Sequence, residues 1–325
     1  LGDLHRALDA QGAGVDAAAA PAVVSAPAVR ASDEPDHAAA AGRTSVADEG
    51  DDLEVAHDDE RLKQLEMYYQ PKVDLKTGRV AGLEALVRWR HPVHGMLLPS
   101  SFIPLAEQSG LIHVLTAFAL RESVRQLADW RAAGRTTPVA VNLSAHDVGN
   151  SAVVDLIERL LAEYEVPSAL LQVEITETAL IADTSRVVPV LERLGALGVK
   201  VAIDDFGIGN TSIAQLRELP VDDLKIDRLF VSDLRDGSRE GSQLVVQAMV
   251  DLAHSFGLKV IAEGVEDEAT AGILARLDVD QAQGFFYAEP SPAGDVPEPR
   301  RRLVRPRRGL GHDEPLDTRP HLTAT

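Results

Sequence analysis

The stretch "VKVAIDDFGIGN", residues 199–210, does not end as an ordinary strand ends. Val199, Val201 and Ile203 read as a buried strand. Asp204 and Asp205 then stand side by side at its end, where two ionised carboxylates in a dry site repel each other strongly. Gly207 and Gly209 allow a sharp turn or a close approach of backbone. One capping aspartate is enough for a strand end. Two point to a metal, and a metal requires ligands from elsewhere in the chain.

Outward from this stretch, residues 65–290 alternate between strand and helix patterns. Strands are expected at 67–73, 80–88, 138–143, 170–175, 199–203, 222–226, 258–262 and 279–282. Helices are expected between them at 111–132, 151–164, 184–196, 210–218, 238–256 and 267–277. The first two strands are joined by "DLKTG", too short for a crossover helix, so they pair as an antiparallel hairpin. The others are spaced as parallel βα units. Eight strands over about 225 residues fit a (β/α)8-type barrel, with a doubly wound open sheet as the alternative.

The flanks differ in kind. Residues 1–10 read as a short leading helix with Leu1, Leu4 and Leu8 on one face. From 11 to 61 the chain is Ala- and Pro-rich and then acidic, with eight Asp or Glu between Asp48 and Glu60, and reads as a disordered linker or insertion. Residues 293–325, with six Arg between Arg300 and Arg308, read as a disordered tail. The barrel is thus bounded at 62–292.

The formal net charge of −19 excludes bulk nucleic-acid binding, which needs phosphate-neutralising Lys and Arg. A phosphorylated ligand would need metals to supply the positive field. There is no cysteine, so disulfides and thiolate metal sites are excluded, and a reducing, cytoplasmic setting is expected. No apolar run is long enough to span a membrane. The opening "LGDLHRALDA" lacks Met and reads as the interior of a longer protein, whose upstream part leaves membrane attachment open.

In a barrel of this kind the site lies at the C-terminal ends of the strands. The second strand offers Glu84 and Arg88, the third Asn142, the fourth Glu174 and the fifth Asp204 and Asp205. The sixth adds Lys225 and Asp227, the seventh Glu263 and the eighth Gln283. Any one of these has a bland explanation as a cap or an ion pair. Four or five carboxylates at one rim need cations to stay ionised together. An all-oxygen set of Asp, Glu and Asn suits hard ions such as Mg²⁺ or Mn²⁺. Adjacent aspartates suggest two of them, with Asp204 bridging, the device used for in-line displacement at phosphorus. Lys225 would orient the water or neutralise the phosphate; its bland reading is an ion pair with Asp204 or Asp227. No histidine stands at a strand end, and His91 and His94 are read as loop residues.

These motifs in this order resemble the EAL-domain family of cyclic-di-GMP phosphodiesterases. "YYQPKVDL", "EALVRW", "SFIPLAEQSGLI", "VNLS", "EITE", "DDFG", "LKID", "AEGVE" and "QGFF" all agree with it, over residues 62–292. The resemblance implies a modified TIM barrel with one antiparallel strand, and metal ligation by Glu84, Asn142, Glu174, Asp204, Asp205 and Glu263. It implies that Lys225 assists the attacking water, with Asp204, Asp205 and Glu263 beside it in catalysis. Gln70, Leu86, Arg88, Asp227 and Gln283 fall where the family meets the dinucleotide, and Glu177 where it steadies the loop after the twin aspartates. The implied reaction is metal-dependent hydrolysis of cyclic di-GMP to linear pGpG, by a homodimer holding two divalent cations.

Two features depart from the family. The loop usually reads close to "DDFGTGYSSL", but here Ile208 replaces a small, often hydroxylated residue and Asn210 replaces tyrosine. The acidic stretch between the leading helix and the first strand is the other. A catalytically weak domain serving as a receptor for cyclic di-GMP or as a protein-interaction module is therefore the alternative reading.

Overall fold

The computed structural model describes Leu4 and residues 62–182, 184–209, 212–234 and 240–297. The linker expected over 11–61 lies outside the described residues, as does the leading helix except for Leu4, which is helical and fully buried. Of the disordered tail expected over 293–325, the part beyond 297 lies outside them too, but residues 293–297 are described and Val296 is buried in the main core, so the barrel's packing runs past the expected boundary.

Eight strands close a barrel. β1 (Leu65–Asp74) pairs with β2 (Val80–His91); the ring continues through β4 (Val139–Leu143), β5 (Leu171–Thr176), β6 (Lys200–Phe206), β7 (Asp223–Ile226), β8 (Lys259–Ala262) and β9 (Gln281–Ala282), and returns to β1. β1 is antiparallel to both neighbours, and the remaining barrel pairs are parallel. The short "DLKTG" link gives the chain no room for a crossover, so the reversal of β1 follows from loop length alone. Two further strands, β3 (Gly95–Leu97) and β10 (Ser291–Pro292), extend β2 and β1 outside the ring. Neither was expected, because two or three residues carry no readable period.

Among the described residues all six expected helices are present, together with three that periodicity missed. In chain order they are α1 (Pro99–Gln108), α2 (Ile112–Ala132), α3 (Ala152–Glu163), α4 (Glu177–Ala182), α5 (Thr184–Leu197), α6 (Ile213–Glu218), α7 (Arg228–Ser232), α8 (Glu240–Ser255) and α9 (Glu268–Arg276). α1, α4 and α7 are the unexpected ones. α1 opens on Pro99, a favoured first position, but Pro104 interrupts its pattern.

The main core lies between the outer faces of the strands and the helices around them. A second core sits beside the rim, where Leu4, Leu65, Leu97 and Phe102 surround the fully buried Trp89. The Trp89 and Phe102 rings meet edge to face at 5.7 Å, a geometry worth about 0.5–1.5 kcal/mol beyond the area it buries. This cluster fixes α1 over the end of β2.

Inside the barrel a layer of polar residues faces the rim. Gln70, Glu84, Asn142, Glu174, Asp204 and Lys225 point inward, and alternation sends the residues two before them on the parallel strands inward one layer lower. That lower layer holds Gly82, Ala140, Gln172, Ala202 and Asp223. Because β1 runs the other way, its contribution to the lower layer is Lys72, two residues after Gln70. The small residues make room for the three large polar ones.

Candidate active site

Lys225 is the centre of the site. Its ammonium is fully buried and lies 2.6 Å from Glu263 Oε1, 2.7 Å from Glu174 Oε2, 3.0 Å from Asp204 Oδ2 and 3.7 Å from Glu84 Oε2. The ion pair with Asp204 is therefore present and the one with Asp227 is not. Asn142 donates from Nδ2 to Glu84 Oε1 at 2.9 Å, which leaves its carbonyl oxygen for another partner. Gln283 donates to Gln70 Oε1 at 2.9 Å and to Glu84 Oε2 at 2.5 Å, tying the first and last barrel strands to the same carboxylate.

Two sets of three carboxylates have oxygens within 4.8 Å of one another: Glu84, Glu174 and Asp204 form one, and Asp204, Asp205 and Glu263 the other. Asp204 belongs to both. Hard divalent cations fit such a donor set, because every candidate ligand atom is oxygen and the carboxylates outnumber the ammonium beside them.

The twin aspartates are brought to one side by a break in the strand. The β6–β7 register shifts between Ile203 and Phe206, and Asp205 takes a left-handed φ of 54°. In an unbroken strand Asp205 would face away from Asp204; the bulge re-aims it. Strand β6 therefore runs on to Phe206, three residues past the expected end. The loop beyond is held by Glu177, whose Oε2 accepts from Gly207 N at 2.9 Å and Gly209 N at 3.1 Å. A Cβ on Gly209 would lie 2.6 Å from the Glu177 carboxyl carbon, and one on Gly207 would lie 2.5 Å from Met249. Only glycine lets the backbone come this close.

Removing the Glu177 carboxylate by Glu177→Ala takes the acceptor from the Gly207 and Gly209 amides and loosens the backbone after Asp205. Hydrogen bonds to a charged group contribute about 1.5–3 kcal/mol each. A fall in turnover of about tenfold to a hundredfold is expected, with the change confined to the loop when amide exchange is compared with the parent protein.

The charges are strongly coupled. Burial alone would raise the Glu174 carboxyl, but the Lys225 and Lys72 ammoniums override it and hold it at about 2. Burial pushes Glu84 upward against the pull of Lys225, and raises Glu263 well above the usual range despite its contact with the same lysine. Burial would lower Lys225, yet Asp204, Glu174, Glu263 and Glu84 together hold it well above an ordinary lysine. Asp205 is pushed up to about 6, first by burial and then by the charges of Asp204 and Asp227.

A pH dependence follows. Asp205, with its folded value above its unfolded one, adds stability that is complete below the unfolded carboxylate range and is lost as pH rises through about 6. The chelated protein should therefore gain stability from this group on going from pH 7.5 to pH 5. A cation needs the same carboxylate ionised, so Mn²⁺ affinity should weaken as pH falls below about 6. Melting curves in chelator and Mn²⁺ titrations across this range check both signs; an affinity independent of pH would remove Asp205 from the ligand set.

The residues expected to meet substrate are placed unequally. Gln70 and Gln283 join the carboxylate layer directly. Leu86 and Arg88 continue the inward face of β2 above Glu84. Arg88 lies over the Tyr68 ring at 5.6 Å and donates to the Val87 carbonyl at 3.0 Å. Asp227 caps α7, accepting from Leu229 N at 2.7 Å, and its carboxyl also faces Asp205. A cavity of about 300 Å³, mostly apolar, opens beside Leu86 and Asn142 between β2, β4, α1 and α2.

His91 is not a loop residue. It ends β2, is buried, and its Nδ1 accepts from the amides of Val93 and His94 at 3.2 Å each, so it shapes the turn into β3. The lower layer was missed altogether. Lys72 pairs with Glu174 and donates to Gln172 Oε1 at 3.0 Å, and Gln172 donates to Asp223 Oδ2 at 2.6 Å. Alternation from Gln70, Glu174 and Lys225 carried the signal, since each lies two residues from one of these.

The family model for the EAL domain matches residues 52–290. The chain belongs to the EAL family. Curated relatives of the EAL barrel include the cyclic di-GMP phosphodiesterase NbdA of Pseudomonas aeruginosa, 41% identical over 239 residues that make up 73% of this chain and 30% of the relative. The cyclic di-GMP phosphodiesterase PdeR of Escherichia coli is 39% identical over 230 residues, 71% of this chain and 34% of the relative. The chain thus spans about a third of the length of these relatives. Among solved structures, the PaMucR phosphodiesterase in its c-di-GMP complex matches with a TM-score of 0.69 and 39% identity, covering 71% of this chain and 94% of that one. The EAL domain of Mycobacterium smegmatis DcpA matches with a TM-score of 0.60 and 33% identity, over 72% of this chain and 94% of that one.

Proposed function

We propose that the EAL barrel hydrolyses one phosphodiester bond of cyclic di-GMP to give linear pGpG. The observation that carries this reading is Asp204, shared by two carboxylate triads with Lys225 between them. Glu84, Asn142, Glu174 and Asp204 would hold one divalent cation, and Asp204, Asp205 and Glu263 the other. Bound Mg²⁺ or Mn²⁺ would supply a water activated at neutral pH and charge for the leaving oxygen.

The chain's own groups set the geometry around that chemistry. Lys225, held as an ammonium by four carboxylates, would release one of them to donate a hydrogen bond to the attacking water and would neutralise charge on the phosphate. Glu263 stands beside it and accepts. Arg88 carries a planar guanidinium suited to a phosphate, and Gln70, Asp227 and Gln283 present polar groups at the same rim. The apolar cavity beside Leu86 suits one base of the dinucleotide. Relatives named cyclic di-GMP phosphodiesterases support the substrate.

Ile208, Ile213, Leu229 and Leu244 are exposed apolar side chains on the loop after β6 and on α6, α7 and α8, which supports a homodimer through this side. Among the described residues no helix is long and apolar enough to cross a membrane, and with the absence of cysteine this supports a cytoplasmic setting.

The test is chromatographic detection of pGpG after incubation of the protein with cyclic di-GMP and Mg²⁺ or Mn²⁺, beside a chelator control. Metal-dependent pGpG is the expected result; intact substrate after long incubation would overturn the reading. Ile208, in the loop after the twin aspartates where the family usually has a small residue, motivates the second reading, a receptor of low activity. If the loop limits turnover, Ile208→Thr combined with Asn210→Tyr raises it several-fold, by about 1 kcal/mol in barrier. An unchanged rate would show that the loop departures are neutral.

A further inference from the structure

Glu174 is the most enclosed carboxylate of the site, with no exposed surface, and it is gripped from two sides. Lys225 takes Oε2 at 2.7 Å from β7. Lys72 takes Oε1 from the layer beneath, and is itself only 2% exposed. Lys72 is in turn anchored by Gln172 Oε1 at 3.0 Å, and Gln172 by Asp223 Oδ2 at 2.6 Å. Lys72 reaches Glu174 because β1 runs antiparallel, which puts its side chain one layer below Gln70, across from Gly82. The chain Asp223–Gln172–Lys72–Glu174 therefore leads from the barrel interior to the candidate ligands.

We infer that Lys72 is a positioning residue for the metal centre, pinning one oxygen of Glu174 downward so that the other alone faces the rim. The inference rests on the metal-site reading above. Without Lys72, both oxygens of Glu174 are free to chelate Lys225, and a cation then has to displace the lysine from both. Partners that orient a ligand in this way change metal affinity by about tenfold to a hundredfold when removed.

The sign of the change separates this role from two simpler ones. Lys72 is a positive charge near a cation site, so if charge were its whole effect, removing it would tighten cation binding. If Lys72 served stability alone, its removal would lower the melting temperature of the chelated protein and leave the affinity of the folded protein unchanged.

The experiment is calorimetric titration of the full chain with Mn²⁺ alone, without nucleotide, for the parent and Lys72→Met. Weakening of Mn²⁺ binding by about tenfold or more in the variant is expected. Unchanged or tighter binding would overturn the inference while leaving the metal site standing. A parent that binds no Mn²⁺ would overturn both. Should Lys72→Met fail to fold, Gln172→Met keeps the charge and removes its anchor; about threefold weaker Mn²⁺ binding is then expected, and unchanged binding overturns the proposal.

Discussion

Replacing Asp204 by asparagine is expected to abolish hydrolysis of cyclic di-GMP, lowering turnover by at least about a thousandfold. Asp204 is the one carboxylate common to both triads. Its Oδ2 lies 3.0 Å from Lys225, and its Oδ1 accepts from the Asp205 amide at 2.9 Å. Asparagine has the same shape and can still accept from the Asp205 amide through Oδ1, so the bulge should form, but its NH2 then faces the Lys225 ammonium and that contact is lost. What disappears is the charge that lets one side chain serve two cations. The Mn²⁺ stoichiometry from calorimetry should fall below two, alongside the loss of pGpG. Turnover within tenfold of the parent would sink the two-cation assignment.

Lys225→Met is the second large effect, and it separates stability from chemistry. Removing one partner from a buried ionic cluster costs about 3–5 kcal/mol when the other charge is left uncompensated. Here several carboxylates lose their shared ammonium, and in chelator the variant should melt far below the parent. Saturating Mn²⁺ should recover most of that stability, because cations compensate the same carboxylates. Hydrolysis should not recover with it. Loss of one preorganised donor costs about a hundredfold to a thousandfold in turnover. A variant that regains both stability and turnover in Mn²⁺ would show that Lys225 serves only as a counter-ion.

The Lys72 and Lys225 variants bear on different oxygens of Glu174 and so test one carboxylate from two sides. Their effects should not add, since the two lysines share a partner.

Much of this site was legible before any coordinates. Strand spacing and a five-residue link set the antiparallel first strand, and reading the polar groups toward the C-terminal ends of the strands picked out Glu84, Asn142, Glu174, Asp204, Lys225 and Glu263 as candidates. These are local facts, because a strand's alternation places a residue inward from its position alone. Helices α1, α4 and α7 were less visible, as they are short or interrupted and draw their stability from what they pack on.

Three features belong to the tertiary structure. The bulge that turns Asp205 toward Asp204 depends on Glu177, nearly thirty residues upstream, holding the loop beyond it. The pairing of Lys72 with Glu174 depends on where two non-adjacent strands meet inside the ring. The second core gathers Leu4 into one cluster with Trp89 and Phe102. Each joins residues far apart in the chain, so no window of sequence contains both partners. The sequence by itself determined which side chains enter the barrel; only closure of the barrel decided which of them share a lysine.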